Sequence, residues 1–241
     1  MIKSKYIIQR VEKKYMLTKD EYNWLLEELE PHISMDAYGK HTIGNIYYDT
    51  DTYELIRYSI EKPKYKEKLR LRSYGIPNTD SDVYLEIKKK YDGIVYKRRV
   101  DLTLAEAEAY LNEGMRPQKD SQILREIDYF ISYYKPKPKL YLAYDRMAYF
   151  GREDSSVRIT FDHNIRSREY DLSLGKGDYG VLLLDEDRYL MEIKVAGAMP
   201  IWLSEILSKL AIYPSSFSKY GNVYKKSILL DRREELCLQA Y

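Results

Sequence analysis

Apolar and polar residues alternate with a period of two along much of this chain, and that period predicts strands. The stretch Lys66-Glu67-Lys68-Leu69-Arg70-Leu71-Arg72 sets the pattern. Lys66, Lys68, Arg70 and Arg72 share one face, and Glu67, Leu69 and Leu71 share the other. The same reading predicts strands over residues 6–16, 43–49, 64–74, 82–91, 94–101, 139–150, 156–162 and 188–195. Residues 164–180 are polar, contain three glycines, and read as a loop or irregular hairpin.

Helices are expected where the apolar spacing changes. The capping box Thr18-Lys19-Asp20-Glu21 starts one that stops at Pro31, and Thr103-Leu104-Ala105-Glu106 starts one that ends near Gly114. Thr50 caps a short helix through Ile56, residues 121–134 have helical spacing, and Pro200 opens a helix to about residue 210. A final helix is expected over 217–238. Asp49 reads as a strand end and helix cap, and Trp24 and Trp202 as packing or interface residues. The fold class is therefore α+β: an eight-stranded antiparallel sheet closed into a tunnel barrel with flanking helices, one domain over residues 1–241. Closure is expected because it removes exposed strand edges.

Asp92-Gly93 is a two-residue hairpin signal that fixes cross-strand partners. It puts Tyr91 opposite Ile94, Lys88 opposite Lys97 and Glu86 opposite Arg99. Lys88 and Lys97 are then a like-charge pair, which costs stability unless something relieves it. Other strands repeat the pattern. Tyr144 and Arg146 share a face, as do Arg158, Thr160 and Asp162, and as do Glu192 and Lys194, while Ile159, Phe161 and Ile193 point the other way. A barrel with a charged lumen accounts for all of these faces together, and eight strands leave room for one slender ligand.

The totals argue against a diffuse affinity for nucleic acid. The net charge is +2 although 32% of the 241 residues are charged, so an anion site must arise by sorting charges onto faces. Tyr, at 27 residues against 4 Phe, suits half-buried strands. One cysteine, Cys237, excludes an internal disulfide and a cysteine metal cluster, and the 3 histidines lack metal-ligand spacing. Ser-His-Asp and Cys-His arrangements and a P-loop are absent from the sequence. Residues 1–8 carry no apolar signal region and no run approaches a membrane span, so a cytoplasmic protein is expected.

With these faces in place, the chain resembles the triphosphate tunnel (CYTH-like) metalloenzymes. Arg10-x-Glu12-x-Lys14 is similar to their Glu-x-Glu-x-Lys strand motif. The closer likeness is to the VTC (vacuolar transporter chaperone) branch, which makes polyphosphate. It is carried by Ile46-Tyr-Tyr-Asp-Thr50, Lys68-Leu-Arg-Leu-Arg-Ser-Tyr-Gly75, Leu85-Glu-Ile-Lys88 and Val95-Tyr-Lys-Arg-Arg99. It continues through Tyr144-Asp-Arg-Met-Ala-Tyr149, Val157-Arg-Ile-Thr-Phe-Asp162, Met191-Glu-Ile-Lys194 and Phe217-Ser-Lys-Tyr220.

The resemblance implies a tunnel barrel that binds a nucleotide triphosphate with Mn or Mg. It implies that Lys14, Arg70, Arg72, Lys88, Lys97, Arg146, Arg158 and Lys219 bind phosphate, and that Glu192 and Glu12 hold the metal. Lys14, Arg70, Arg72, Lys88, Arg158 and Glu192 form the expected catalytic set. Arg10, Arg99 and Lys194 join the substrate-binding set by their place on the same faces, and alternation adds Asp162 to the lumen. Arg10 stands where the motif has its first acid, which weakens a hydrolase reading and fits a polymerase. The expected function is transfer of the ATP gamma-phosphate to a growing polyphosphate chain. The alternatives are a triphosphatase on the same fold and a non-catalytic polyphosphate-binding module. ATP and polyphosphate are the expected partners, nucleic acid is not, and a membrane partner would be a separate chain.

Overall fold

The computed structural model describes residues 10–92 and 94–228 of the chain. Strand β1 (Arg10–Thr18) runs into α1 (Lys19–Leu29), and β2 (Ile33–Met35) and β3 (His41–Asp49) follow. Then come α2 (Glu54–Ile60), β4 (Tyr65–Tyr74), β5 (Asp82–Tyr91), β6 (Ile94–Thr103), α3 (Leu104–Glu113) and α4 (Gln122–Tyr134). The chain continues with β7 (Lys137–Gly151), β8 (Arg158–Arg168), β9 (Val181–Leu182), β10 (Arg188–Ala196), α5 (Ile201–Lys209) and α6 (Lys219–Val223). This is an antiparallel, sheet-rich α+β fold. Both expected capping boxes form: Thr18 accepts from the Glu21 amide and Thr103 from the Glu106 amide. Each such cap contributes about 1 kcal/mol.

Hydrogen-bonded neighbours follow the order β1-β10-β8-β7-β3-β4-β5-β6, with β2 on β7 and β9 on β8. The eight strands of this order are those the alternation predicts. The order has two ends, β1 and β6, so the pairing among the described residues does not close the sheet as expected. The two end strands are protected in other ways. The Lys14 carbonyl on β1 accepts from the Ser215 amide at 2.7 Å, and β6 carries Lys97, Arg98 and Arg99, charges that discourage edge pairing.

Several bounds differ from the sequence reading. β8 continues through Arg168 into the region read as a loop, and β2 and β9 are additional. Helix α2 starts at Glu54, and both expected caps serve it, with Thr50 Oγ1 accepting from the Glu54 amide at 2.9 Å. The Asp49 carboxylate accepts from the amides of Thr50, Leu55 and Ile56 at 2.8–3.0 Å. The last α-helix among the described residues is α6, five residues long, followed by a π turn over Tyr224–Ile228. The rest of the expected helix over 217–238, and residues 6–9 of the first strand, lie outside the described residues.

The chain forms two units, and β7 and β8 contribute to both. In the first (Met1–His41, Asp145–Asn164, Leu184–Phe217), Tyr15, Leu17, Phe161, Met191 and Ile193 pack with α1 and α5 through Leu25, Leu29, Leu203 and Leu207. In the second (Thr42–Tyr144, Ile165–Leu183, Ser218–Tyr241), Leu69, Leu71, Leu85, Ile87 and Val100 pack with α3 and α4 through Ala107, Tyr110, Leu124, Ile127 and Phe130. Fully burying one such side chain contributes roughly 1.5–3 kcal/mol. That burial anchors strands whose opposite faces carry rows of like charge.

Candidate functional site

In the second unit, strand register assembles three rows on the charged face. Tyr47, Arg70, Glu86 and Arg99 form one row, and Asn45, Arg72, Tyr84 and Asp101 the next. Lys68, Lys88 and Lys97 form the third, with the Lys88–Lys97 opposition that the hairpin predicts.

Glu86 sits among the cations and is only 1% exposed. Arg70 Nε donates to its Oε2 at 2.7 Å, and Arg72 Nε lies 3.9 Å from the same oxygen. Lys97 Nζ forms an ion pair with Oε1 at 2.5 Å. Arg72 Nε donates to Asn45 Oδ1 at 3.0 Å, and Asn45 Nδ2 is anchored on the Leu142 carbonyl at 3.1 Å. With Nε tied in each arginine, the Nη groups point to tyrosines. Arg70 Nη1 donates to the Tyr47 hydroxyl at 3.4 Å, and Arg72 Nη2 to that of Tyr144 at 3.3 Å. Lys219, at the start of α6, places Nζ 4.4 Å from the centre of the Tyr144 ring.

Charge and burial compete here. Burial alone would raise the Glu86 carboxyl, but Arg70, Arg72 and Lys97 outweigh it and hold the group at about 2. Burial lowers the Lys97 ammonium, Glu86 opposes this, and Arg72 and Arg70 add to it, leaving it at about 8.

In the first unit, the rows are Lys14, Glu192 and Thr160, then Glu12, Lys194 and Arg158. Charge alternates along β1 and β10 and between them, whereas Lys194 faces a second cation, Arg158, on β8. Lys14 Nζ lies 3.4 Å from Glu192 and 3.8 Å from Glu12, and donates to the Phe217 carbonyl at 3.0 Å. Lys194 Nζ lies 3.5 Å from Glu192 and 3.8 Å from Glu12. Arg146 Nη2 reaches to 3.9 Å from Glu192 while it holds Asp162 through two hydrogen bonds. Thr160 is buried, and its hydroxyl has no hydrogen-bond partner among the described residues.

Other expected site residues stand apart. Arg99 lies over the Tyr84 ring at 4.6 Å and 3.8 Å from Asp101, and it makes no ion pair with Glu86, its register partner. Arg158 is exposed and lies 5.2 Å from the centre of the Phe150 ring. Lys88 is exposed on its row. Arg10 pairs with Ala196 in register, and its side chain is outside the description.

Sequence reasoning placed Glu86 and Thr160 on these faces but gave neither a role. Asn45, 0% exposed, was missed altogether. Its signal was a lone amide in the apolar run Ile43-Gly-Asn-Ile46, since a polar group at a buried position requires a partner.

Among the described residues, no group of three or more His, Cys, Asp or Glu that could hold a metal is present. Glu12 and Glu192 nevertheless share Lys14 and Lys194 as partners, so both carboxylates face one location, and the unpartnered Thr160 hydroxyl is opposite Glu192 in register. One or two carboxylates fit Mg or a similar hard cation when phosphate oxygens and water complete its shell.

A sheet-rich α+β fold with cation rows around buried carboxylates defines the class: the fold of the CYTH-like triphosphate tunnel proteins. It is shared with a protein from Bacillus halodurans assigned as an adenylate cyclase, at 16% identity and TM-score 0.55, over 87% of this chain and 95% of that one. It is also shared with an assigned adenylyl cyclase from Hippeastrum with a dominant triphosphatase activity, at 17% identity and TM-score 0.52, over 90% of this chain and 95% of that one. A search of curated proteins gives no match. The VTC domain model matches residues 9–228, and the chain belongs to that family.

Proposed function

We propose that this protein is a metal-dependent polyphosphate polymerase that transfers the gamma-phosphate of ATP to the end of a polyphosphate chain. The observation that carries this reading is the grouping of Arg70, Arg72 and Lys97 around Glu86 and of Lys14, Lys194 and Arg146 around Glu192, in a chain of the VTC family. Closure of the sheet into a tunnel is part of the proposal and rests on the family resemblance, not on the strand pairing.

In this reading Arg70 and Arg72 present their Nη groups to phosphate oxygens, since Nε of each is held by a buried acceptor. In the second unit Lys88, Lys97 and Lys219 add positive charge for phosphate and Arg99 extends the substrate contacts; in the first unit Lys14, Arg146 and Arg158 add positive charge, and Arg10 and Lys194 extend the contacts. Phosphoryl transfer needs position and charge stabilisation, so no nucleophilic side chain is required. Glu192 and Glu12 would hold Mn or Mg. When bound, the metal neutralises phosphate charge and aligns the reacting groups. The terminal phosphate of the acceptor is already ionised, so the site needs no strong base to activate it.

The triphosphatase reading has one specific support, the likeness to the Hippeastrum protein. Against it stands Arg10 in place of the first motif acid. No helix among the described residues is long and apolar enough to cross a membrane. If the product leaves through a membrane, a separate chain would carry it. Incubation with gamma-labelled ATP and Mn, with products sized on a gel, tests the reading. A ladder of labelled chains is expected. Label released only as orthophosphate would establish the hydrolase instead.

A further inference from the structure

Three cations gathered around one point repel one another, most strongly on the side where buried Arg72 keeps water away. Such a cluster draws in any small anion that relieves it. Arg70, Arg72 and Lys97 already have an anion of their own. The Glu86 carboxylate, 1% exposed, receives Arg70 Nε at 2.7 Å and has Lys97 Nζ at 2.5 Å and Arg72 Nε at 3.9 Å. Its neighbours Leu85 and Ile87 are locked in the core behind the sheet, at 0% and 1% exposure, so the carboxylate cannot withdraw without moving the strand.

We propose that Glu86 is a specificity-determining residue: it occupies the place of a single anion and so keeps orthophosphate-sized ions out of the Arg70–Arg72–Lys97 cluster. A lone phosphate must compete with a carboxylate that is covalently part of the strand and has no association entropy to lose. A phosphate chain need not take that place. It can use the Nη edges of Arg70 and Arg72 together with Lys88 and Lys219, and the sum of these contacts exceeds what one phosphate gains. Glu86 therefore sets the preference for chains over single phosphates. This inference rests on the reading that the cluster receives a phosphate chain.

The test is calorimetric titration of orthophosphate and of tripolyphosphate, without metal, into the wild-type protein and Glu86→Gln. The substitution keeps size and an acceptor oxygen but removes the charge. Orthophosphate affinity is expected to rise by about tenfold or more, the scale of removing a like charge from beside an anion. The preference for tripolyphosphate should narrow. A purely structural Glu86 gives the opposite sign: both anions bind more weakly because Arg70 loses its anchor, and that result overturns the proposal. An unchanged orthophosphate affinity overturns it too. If Glu86→Gln does not fold, Glu86→Asp withdraws the charge by one methylene and is expected to show a smaller gain for orthophosphate, and no gain would refute the idea. Wild-type protein that fails to bind tripolyphosphate would sink the phosphate-chain reading separately, because the orthophosphate comparison stands without it.

Discussion

Arg146 holds Asp162 through two parallel hydrogen bonds, Nε to Oδ1 at 2.6 Å and Nη2 to Oδ2 at 2.7 Å, with the carboxylate 0% exposed. The same Nη2 lies 3.9 Å from Glu192, so this pair fixes the floor of the first unit's cluster. Removing one partner of a buried pair leaves an uncompensated charge and costs about 3–5 kcal/mol. Arg146→Ala should therefore lower the melting temperature by roughly 6–20 °C for a domain of this size. Arg146→Lys keeps the charge but loses the fork, and a smaller drop is expected. Chemical denaturation of the three proteins decides. A loss below about 1 kcal/mol in Arg146→Ala would deny the pair a structural role.

Glu192→Gln keeps the size of the side chain and removes the charge that a divalent metal requires. Turnover with Mn should fall by at least about 10- to 100-fold, the range for groups one step removed from a metal. Tripolyphosphate binding in chelator should persist or tighten, because Lys14, Lys194 and Arg146 lose a competing carboxylate. Ordinary Mn-dependent turnover in this variant would remove Glu192 from the metal site.

Asp49 is predicted to matter for stability alone. Its carboxylate accepts from the Thr50 amide, from the Leu55 and Ile56 amides in the first turn of α2, and from the Tyr220 hydroxyl at 3.0 Å. Asp49→Ala leaves these donors unpaired and should cost about 2–4 kcal/mol. A loss of triphosphate affinity with unchanged stability would show instead that Asp49 is part of the site.

The pH dependence follows from Lys97 and Glu86. Burial first, with Arg72 and Arg70 adding and Glu86 opposing, lowers Lys97 from 10.5 to about 8. The folded state then binds its proton less tightly than the unfolded state, which costs stability below pH 8, and the cost is relieved as pH rises from 8 towards 10.5. A bound polyanion raises the group again, so binding takes up a proton above pH 8. Affinity for tripolyphosphate should fall by up to about tenfold per pH unit there. Lys97→Arg, permanently charged, should flatten that decline, and identical profiles for the two proteins would exclude Lys97. For Glu86 the sign is reversed. Its carboxyl falls from 4.5 to about 2 in the folded protein, so its stabilisation is complete above pH 4.5 and disappears as pH falls through 2.

Much of this was legible in the sequence where one local rule governed. Period-two alternation located the strands of both cation rows, and Asp92, with φ 43°, begins the turn that sets Lys88 against Lys97. Local rules end where a longer reach decides. Opposed positions suggest Glu86 with Arg99, yet Lys97, a diagonal neighbour with a longer flexible stem, makes the ion pair. Asn164, at φ 48°, interrupts the alternation of β8, so the strand that continues to Arg168 reads as a loop. Arg168 then stacks between the rings of Tyr141 and Tyr179, contacts that no local pattern announces. The closed barrel was inferred from the need to protect edges, and here a backbone contact from Ser215 and charges on β6 protect them.

The central claim is that these cation rows receive a chain of phosphates. Thermal melts in chelator, at matched ionic strength, with tripolyphosphate or orthophosphate, test it most directly. Tripolyphosphate at about 100 times its dissociation constant should add about 2.7 kcal/mol by binding only the folded state. That corresponds to a shift of roughly 5–11 °C. Orthophosphate at the same concentration should shift the melt far less, because one phosphate spans too few of the strands. Equal shifts from the two anions would contradict the account and reduce the rows to a general anion patch.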